Sequence, residues 1–91
     1  MIDPFLKLKY GNIVELDVHN KTLEEARSEL LYALDLVDID VDAILVVHGF
    51  HKGTVIKDYV RKKFSDRRVI KKVNPDAGAT LLILSEDKTK K

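Results

Sequence analysis

Apolar and polar residues change rhythm several times along this chain, and each change marks an element. In 13-IVELDVH-19, Val14, Leu16 and Val18 alternate with Glu15, Asp17 and His19, the period of two that predicts a half-buried strand. Residues 22–37 switch to helical spacing, with Leu23, Ala26, Leu30, Leu34 and Val37 on one face and Leu31 and Ala33 beside it. Thr22 and Glu25 are spaced as a capping box, which satisfies two free backbone donors at the helix start. The stretch 38-DIDVD-42 ends that helix with poor helix formers. Then 43-AILVVH-48 is apolar without alternation, as expected of a strand covered on both faces. A second helix is predicted over 55–64, with Val55, Ile56, Tyr59, Val60 and Phe64 on one side and Lys57, Arg61 and Lys62 on the other. Thr54 is its expected N-cap. Strands at 68–73 and 79–84 flank the turn-forming cluster 74-NPDAG-78. Residues 1–12 show only weak alternation between Pro4 and Gly11 and read as an N-terminal arm or edge segment. Residues 85–91 read as a flexible polar tail.

The order β-α-β-α-β-β predicts an α/β two-layer sandwich: a four-stranded mixed sheet with two helices on one face. The first strands pair in parallel, and the short turn at 74–78 makes the last two antiparallel. Parallel pairing sets the ends of the first two strands side by side, so Asp17, His19 and His48 are expected to meet at the carboxyl end of the sheet. Ligands bind there in open α/β sheets.

Composition narrows the setting. Ninety-one residues make one domain, assigned to 13–84. No apolar run approaches the roughly 18 residues of a membrane span, and the first residues lack the pattern of a signal peptide. The absence of cysteine excludes disulfides, zinc–cysteine sites and thiol nucleophiles, and makes a cytoplasmic setting the expectation. The net charge of +1 conceals an asymmetry: residues 13–42 carry nine acids against Lys21 and Arg27, whereas 57–72 carry eight bases against Asp58 and Asp66. The basic stretch can attract a polyanion, or the two stretches can be solvated helix faces that attract each other.

The stretch 48-HGFHKGT-54 concentrates the candidate chemistry. Gly49 and Gly53 allow positive φ and a close approach of ligand to backbone. Lys52, Lys57 and the predicted helix start at Thr54 favour an anion. It is neither a GxxxxGK[ST] nor a GxGxxG loop. An imidazole beside a carboxylate can move a proton near neutral pH. Two imidazoles and a carboxylate can also hold a divalent cation, and histidines at strand ends can be purely structural.

Together, 16-LDVH-19 and 48-HGFHKGT-54 on this element order resemble the Smr (small MutS-related) domain family, whose members carry an L-D-L-H motif and an H-G-x-G-x-G loop. The resemblance covers residues 13–84 and implies a fold similar to the C-terminal domain of translation initiation factor 3. It also implies nucleic-acid cleavage, with Asp17, His19 and His48 as catalytic candidates and Gly49, His51, Lys52, Gly53, Thr54 and Lys57 as phosphate-binding candidates. Asn20 stands where a glycine often follows the first motif, and His51 replaces the middle glycine of a loop stretched by about one residue. The expected function is that of an endonuclease acting on phosphodiester bonds in RNA or DNA, with histidine acid/base catalysis. A divalent metal ion is expected if the substrate is DNA. The alternative is a non-catalytic nucleic-acid or ribosome binding module. A monomer without membrane association is expected.

Overall fold

A computed structural model describes residues 3–49 and 55–85 of the chain. Four strands, β1 (Ile13–Asp17), β2 (Ala43–Val47), β3 (Val69–Asp76) and β4 (Ala79–Leu84), form one open sheet in the order β1-β2-β4-β3. β1 and β2 are parallel, and β4 runs antiparallel to both β2 and β3. The order follows composition. The two uncharged, largely apolar strands, β2 and β4, take the centre, and the charged strands β1 and β3 take the edges.

Helix α2 (Leu23–Leu36) covers one sheet face together with α3 (Val55–Asp58), which continues as a π-helical turn over Tyr59–Lys63. The capping box at Thr22 and Glu25 is formed in both directions. Ala26, Leu30 and Leu34 of α2, with Val60 and Phe64, bury against Ile44, Val46, Leu82 and Leu84. On the opposite face Ala43, Leu45, Ala79 and Leu81 form a smaller cluster, partly covered by Tyr10. The mixed sheet with helices on one face is thus as the alternation implied.

Three elements differ from expectation. Pro4–Tyr10, expected as an arm or edge segment, is a short helix, α1: Asp3 accepts the Phe5 N–H (2.9 Å) and Pro4 begins the first turn, a strong local start signal. β3 runs on through Pro75 to Asp76, so only Ala77 and Gly78 turn the chain. A register shift between Val73 and Asp76 accommodates the proline on this edge strand, where a missing N–H is tolerated. The helix predicted over 55–64, α3 and its continuation, holds a π turn, closed by the Phe64 N–H donating to the Tyr59 carbonyl. Such turns are rare and occur mostly as single turns within α-helices. Among the described residues no helix is long and apolar enough to cross a membrane.

Candidate functional site

The carboxyl ends of β1 and β2 lie side by side, with Asp17 opposite Val47 and the Val18 N–H donating to the Val47 carbonyl at 2.8 Å. The β3–β4 turn joins them. The N–H groups of His48 and Gly49 both donate to the Gly78 carbonyl at 2.9 Å. The three expected site residues are brought to this end, but as two sets rather than one.

The first set is Asp17 with His19. The Asp17 carboxylate accepts the His19 backbone N–H at 3.1 Å and also the His19 ring Nδ1–H. That ring bond, ahead of all other influences, holds the Asp17 carboxyl below its ordinary range, so it is ionised at neutral pH. Donation from Nδ1 leaves the basic lone pair of a neutral His19 on Nε2. Both side chains are about half exposed, at 53% and 51%. Asn20 follows with φ of 68°, a left-handed conformation that asparagine tolerates better than other non-glycine residues. This is the physical reason why asparagine can stand where the motif usually has glycine.

The second set surrounds His48, which is 6% exposed. Strand alternation turns it, with Ile44 and Val46, toward the helices, away from the face that Asp17 shares with Ile13 and Glu15. Its Nδ1 donates to the Gly49 carbonyl (3.0 Å), and its Nε2 meets the hydroxyl of fully buried Thr80 (2.9 Å). The same hydroxyl accepts Arg61 Nε–H at 2.9 Å. Arg61 Nη2 also donates to the carbonyls of Asp76 (2.6 Å) and Ala79 (2.9 Å). Burial pushes the His48 imidazole below its ordinary value; the Gly49 hydrogen bond opposes this, and the Arg61 and Lys57 charges add to it. His48 is therefore a satisfied, neutral interior histidine. The expectation of a single three-residue cluster does not hold, because adjacency of strand ends fixes backbones while alternation fixes the faces.

Gly49 takes φ of 74°, and a Cβ built on it would lie 3.4 Å from the His19 Cβ. The glycine thus bridges the two sets. Lys57 lies within electrostatic range of His48. His51, Lys52, Gly53 and Thr54 fall outside the described residues. Among the described residues, no three His, Asp or Glu side chains are grouped to hold a metal ion. Arg61, Thr80 and Asn74, whose Oδ1 lies 3.4 Å from the Thr80 hydroxyl, were not singled out in the sequence. One signal was available: Thr80 is the sole polar residue of 79-ATLLIL-84, and a buried hydroxyl needs a partner.

Fold and site together define a two-layer α/β domain that displays a carboxylate–imidazole pair at the carboxyl end of an edge strand. The Smr domain family model matches residues 16–82, and the chain belongs to that family. The structure is similar to the crystal structure of the Smr domain of Thermus thermophilus MutS2, with a TM-score of 0.70 and 22% identity, over 79% of this chain and 98% of that one. No curated protein matches the chain at a significant level. The family is associated with nucleic-acid binding and nuclease activity.

Proposed function

We propose that this domain is an endonuclease that cleaves phosphodiester bonds in RNA or DNA, with His19 as the acid/base residue and Asp17 as its positioning partner. The observation that carries this reading is the half-exposed Asp17–His19 pair, which fixes the tautomer with Nε2 as the basic nitrogen. On RNA, His19 Nε2 takes the proton of a 2′-hydroxyl, whose oxygen attacks the adjacent phosphorus. The bond to the 5′ oxygen breaks, and that oxygen leaves with a proton from solvent or from the protonated ring. The products are a 2′,3′-cyclic phosphate and a 5′-hydroxyl. On DNA, the same nitrogen takes a proton from water, whose oxygen attacks the phosphorus while one ester P–O bond breaks and its oxygen leaves with a proton from solvent or the ring. His48 supports the site from inside rather than acting on substrate, since both of its ring nitrogens have internal partners. Lys57 and the motif residues Gly49, His51, Lys52, Gly53 and Thr54 are the proposed phosphate contacts. RNA on the ribosome is one candidate substrate for a domain of this family.

The test is a panel of labelled RNA and DNA, with and without chelator, against wild type, Asp17→Asn and His19→Ala. Positioned acid/base catalysis is worth about 10²–10⁴-fold. Cleavage is expected to fall by at least about 10²-fold in His19→Ala while circular dichroism is unchanged. Undiminished cleavage by His19→Ala would end this reading.

A second reading, a binding module without catalysis, draws support from the interior position of His48 and from the exposed bases Lys62, Lys63, Arg67 and Lys71. It predicts binding that weakens steeply with salt, with no cleavage of any substrate.

A further inference from the structure

We propose that Arg61 and Thr80 are positioning residues that lock the His48 ring into one tautomer, and through it hold the Gly49 turn against His19. The inference rests on the reading of Asp17–His19 as the working pair, and assigns the second motif a supporting role in it.

For a neutral ring the hydrogen bonds leave one consistent assignment. The Gly49 carbonyl can only accept, so His48 Nδ1 carries the proton. In the neutral ring Nε2 must then accept, and the donor beside it is the Thr80 hydroxyl. That hydroxyl is oriented in turn by Arg61 Nε–H, which can only donate and therefore occupies a lone pair on Thr80 Oγ1. Arg61 is itself pinned by the Asp76 and Ala79 carbonyls. The chain Arg61→Thr80→His48→Gly49 thus runs in one direction, each donor fixing the next. It ends on a residue at φ 74° whose α-carbon substituent direction points at the His19 Cβ. The Thr80 hydroxyl has Asn74 Oδ1 as an alternative acceptor at 3.4 Å. Protonation of His48 would reverse the link, with Nε2–H donating to Thr80 and Thr80 to Asn74. The charged and titratable groups facing His48 are Lys57 from α3, Arg61 from its π turn and Asp76 from β3. Two cations against one carboxylate oppose that reversal, as does burial of the ring.

None of this chain serves the core in the ordinary way. An apolar residue at position 80 would pack between Ile44, Val46 and Leu82 with no need of an arginine. The π turn at Tyr59–Lys63 contains Arg61, and single π turns are frequent at functional sites.

The experiment is a long-range 1H–15N NMR titration of the nucleic-acid-free protein, with His19→Ala and His51→Ala used to assign the three rings. His48 is expected to show the Nδ1–H tautomer and a midpoint below the ordinary histidine value of about 6.5. Arg61→Met should raise that midpoint, and Arg61→Lys should leave it low because the charge stays. Amide hydrogen exchange at Gly49 should quicken in Thr80→Val. A wild-type His48 with the Nε2–H tautomer, or one titrating at or above the ordinary value, overturns the proposal without any variant having to fold. So does an unchanged midpoint in Arg61→Met or unchanged Gly49 exchange in Thr80→Val. These readouts use no substrate, so they fail or succeed separately from the cleavage assay.

Discussion

At the residue scale, two glycines with positive φ do different work. Gly49 has φ of 74°, but a Cβ there would meet only the His19 Cβ at 3.4 Å, an ordinary contact. Gly49→Ala therefore carries mainly the left-handed penalty of about 1–2 kcal/mol. Gly11 has φ of 87°, and its Cβ would fall 2.3 Å from Asp42 Oδ2, the atom that accepts the Asn12 N–H at 2.9 Å. Gly11→Ala bears the same backbone penalty and must also displace the carboxylate that ties the start of β1 to the segment before β2. Urea denaturation should rank Gly11→Ala as the more damaging of the two. Adding Asp42→Ala should cost Gly11→Ala less than it costs wild type, a coupling of at least about 0.5 kcal/mol. Equal costs for the two glycines would remove the steric half of the argument. The same scale explains which part of the site was legible. Asp17 and His19 share a face because they lie two apart in an alternating stretch, and the pair forms. His48 was grouped with them by strand ends alone. Yet in the register that pairs Asp17 with Val47, position 48 falls on the other face, with Ile44 and Val46.

At the element scale, legibility follows the strength of the local signal. The Thr22–Glu25 box predicted the start of α2 and is present in full. Thr22→Ala should lower stability by about 1 kcal/mol, within a range of about 0.5–2, lowering the melting temperature by about 4–8 °C for a domain of this size. Thr22→Ser should recover most of it, because the serine hydroxyl can still accept the Glu25 N–H; failure to recover would point to the lost methyl group instead. The π turn was not legible, because Val55, Ile56, Tyr59, Val60 and Phe64 satisfy a 3.6-residue period almost as well. Helix α1 was missed because none of its seven residues is fully buried, so burial left no periodic trace. Its Asp3-Pro4 start was the better guide. A two-residue turn predicts that β3 and β4 pair, but not which of them sits beside β2. The apolar 79–84 against the lysine-rich 68–73 decides that, since only β4 is covered on both faces.

At the scale of the whole molecule, the opposed charges of the two halves are partly used internally. Arg68 donates to Asp66 and, at 2.7 Å, to Asp35 at the end of α2, fastening the start of β3 to the acidic helix. Those attachments, with the interior His48, set how the fold responds to acid, in two stages. The folded-state pKa of His48 lies below its value of 6.5 in the unfolded chain, chiefly through burial. As pH falls through about 6.5 the unfolded chain takes up a proton that the folded protein refuses, so stability declines until the folded pKa is reached and then levels. The carboxyls of Asp17 and Asp66 are held below 3.8 by His19 and Arg68 respectively, and Glu25 below 4.5 by the Thr22 cap. Their stabilisation is complete above those unfolded values, and stability declines again as pH falls through this lower range toward the folded pKa values. Urea midpoints measured from about pH 8 to 3 should therefore drop once between neutrality and mild acid, and again below about pH 4.5. His48→Gln should remove the first decline and keep the second. Asp66→Asn should shrink the second and keep the first. A midpoint that stays flat from about pH 8 to 5 in the wild type would mean that His48 accepts its proton in the fold as readily as out of it, and that the Thr80–Arg61 cage does not hold the ring neutral.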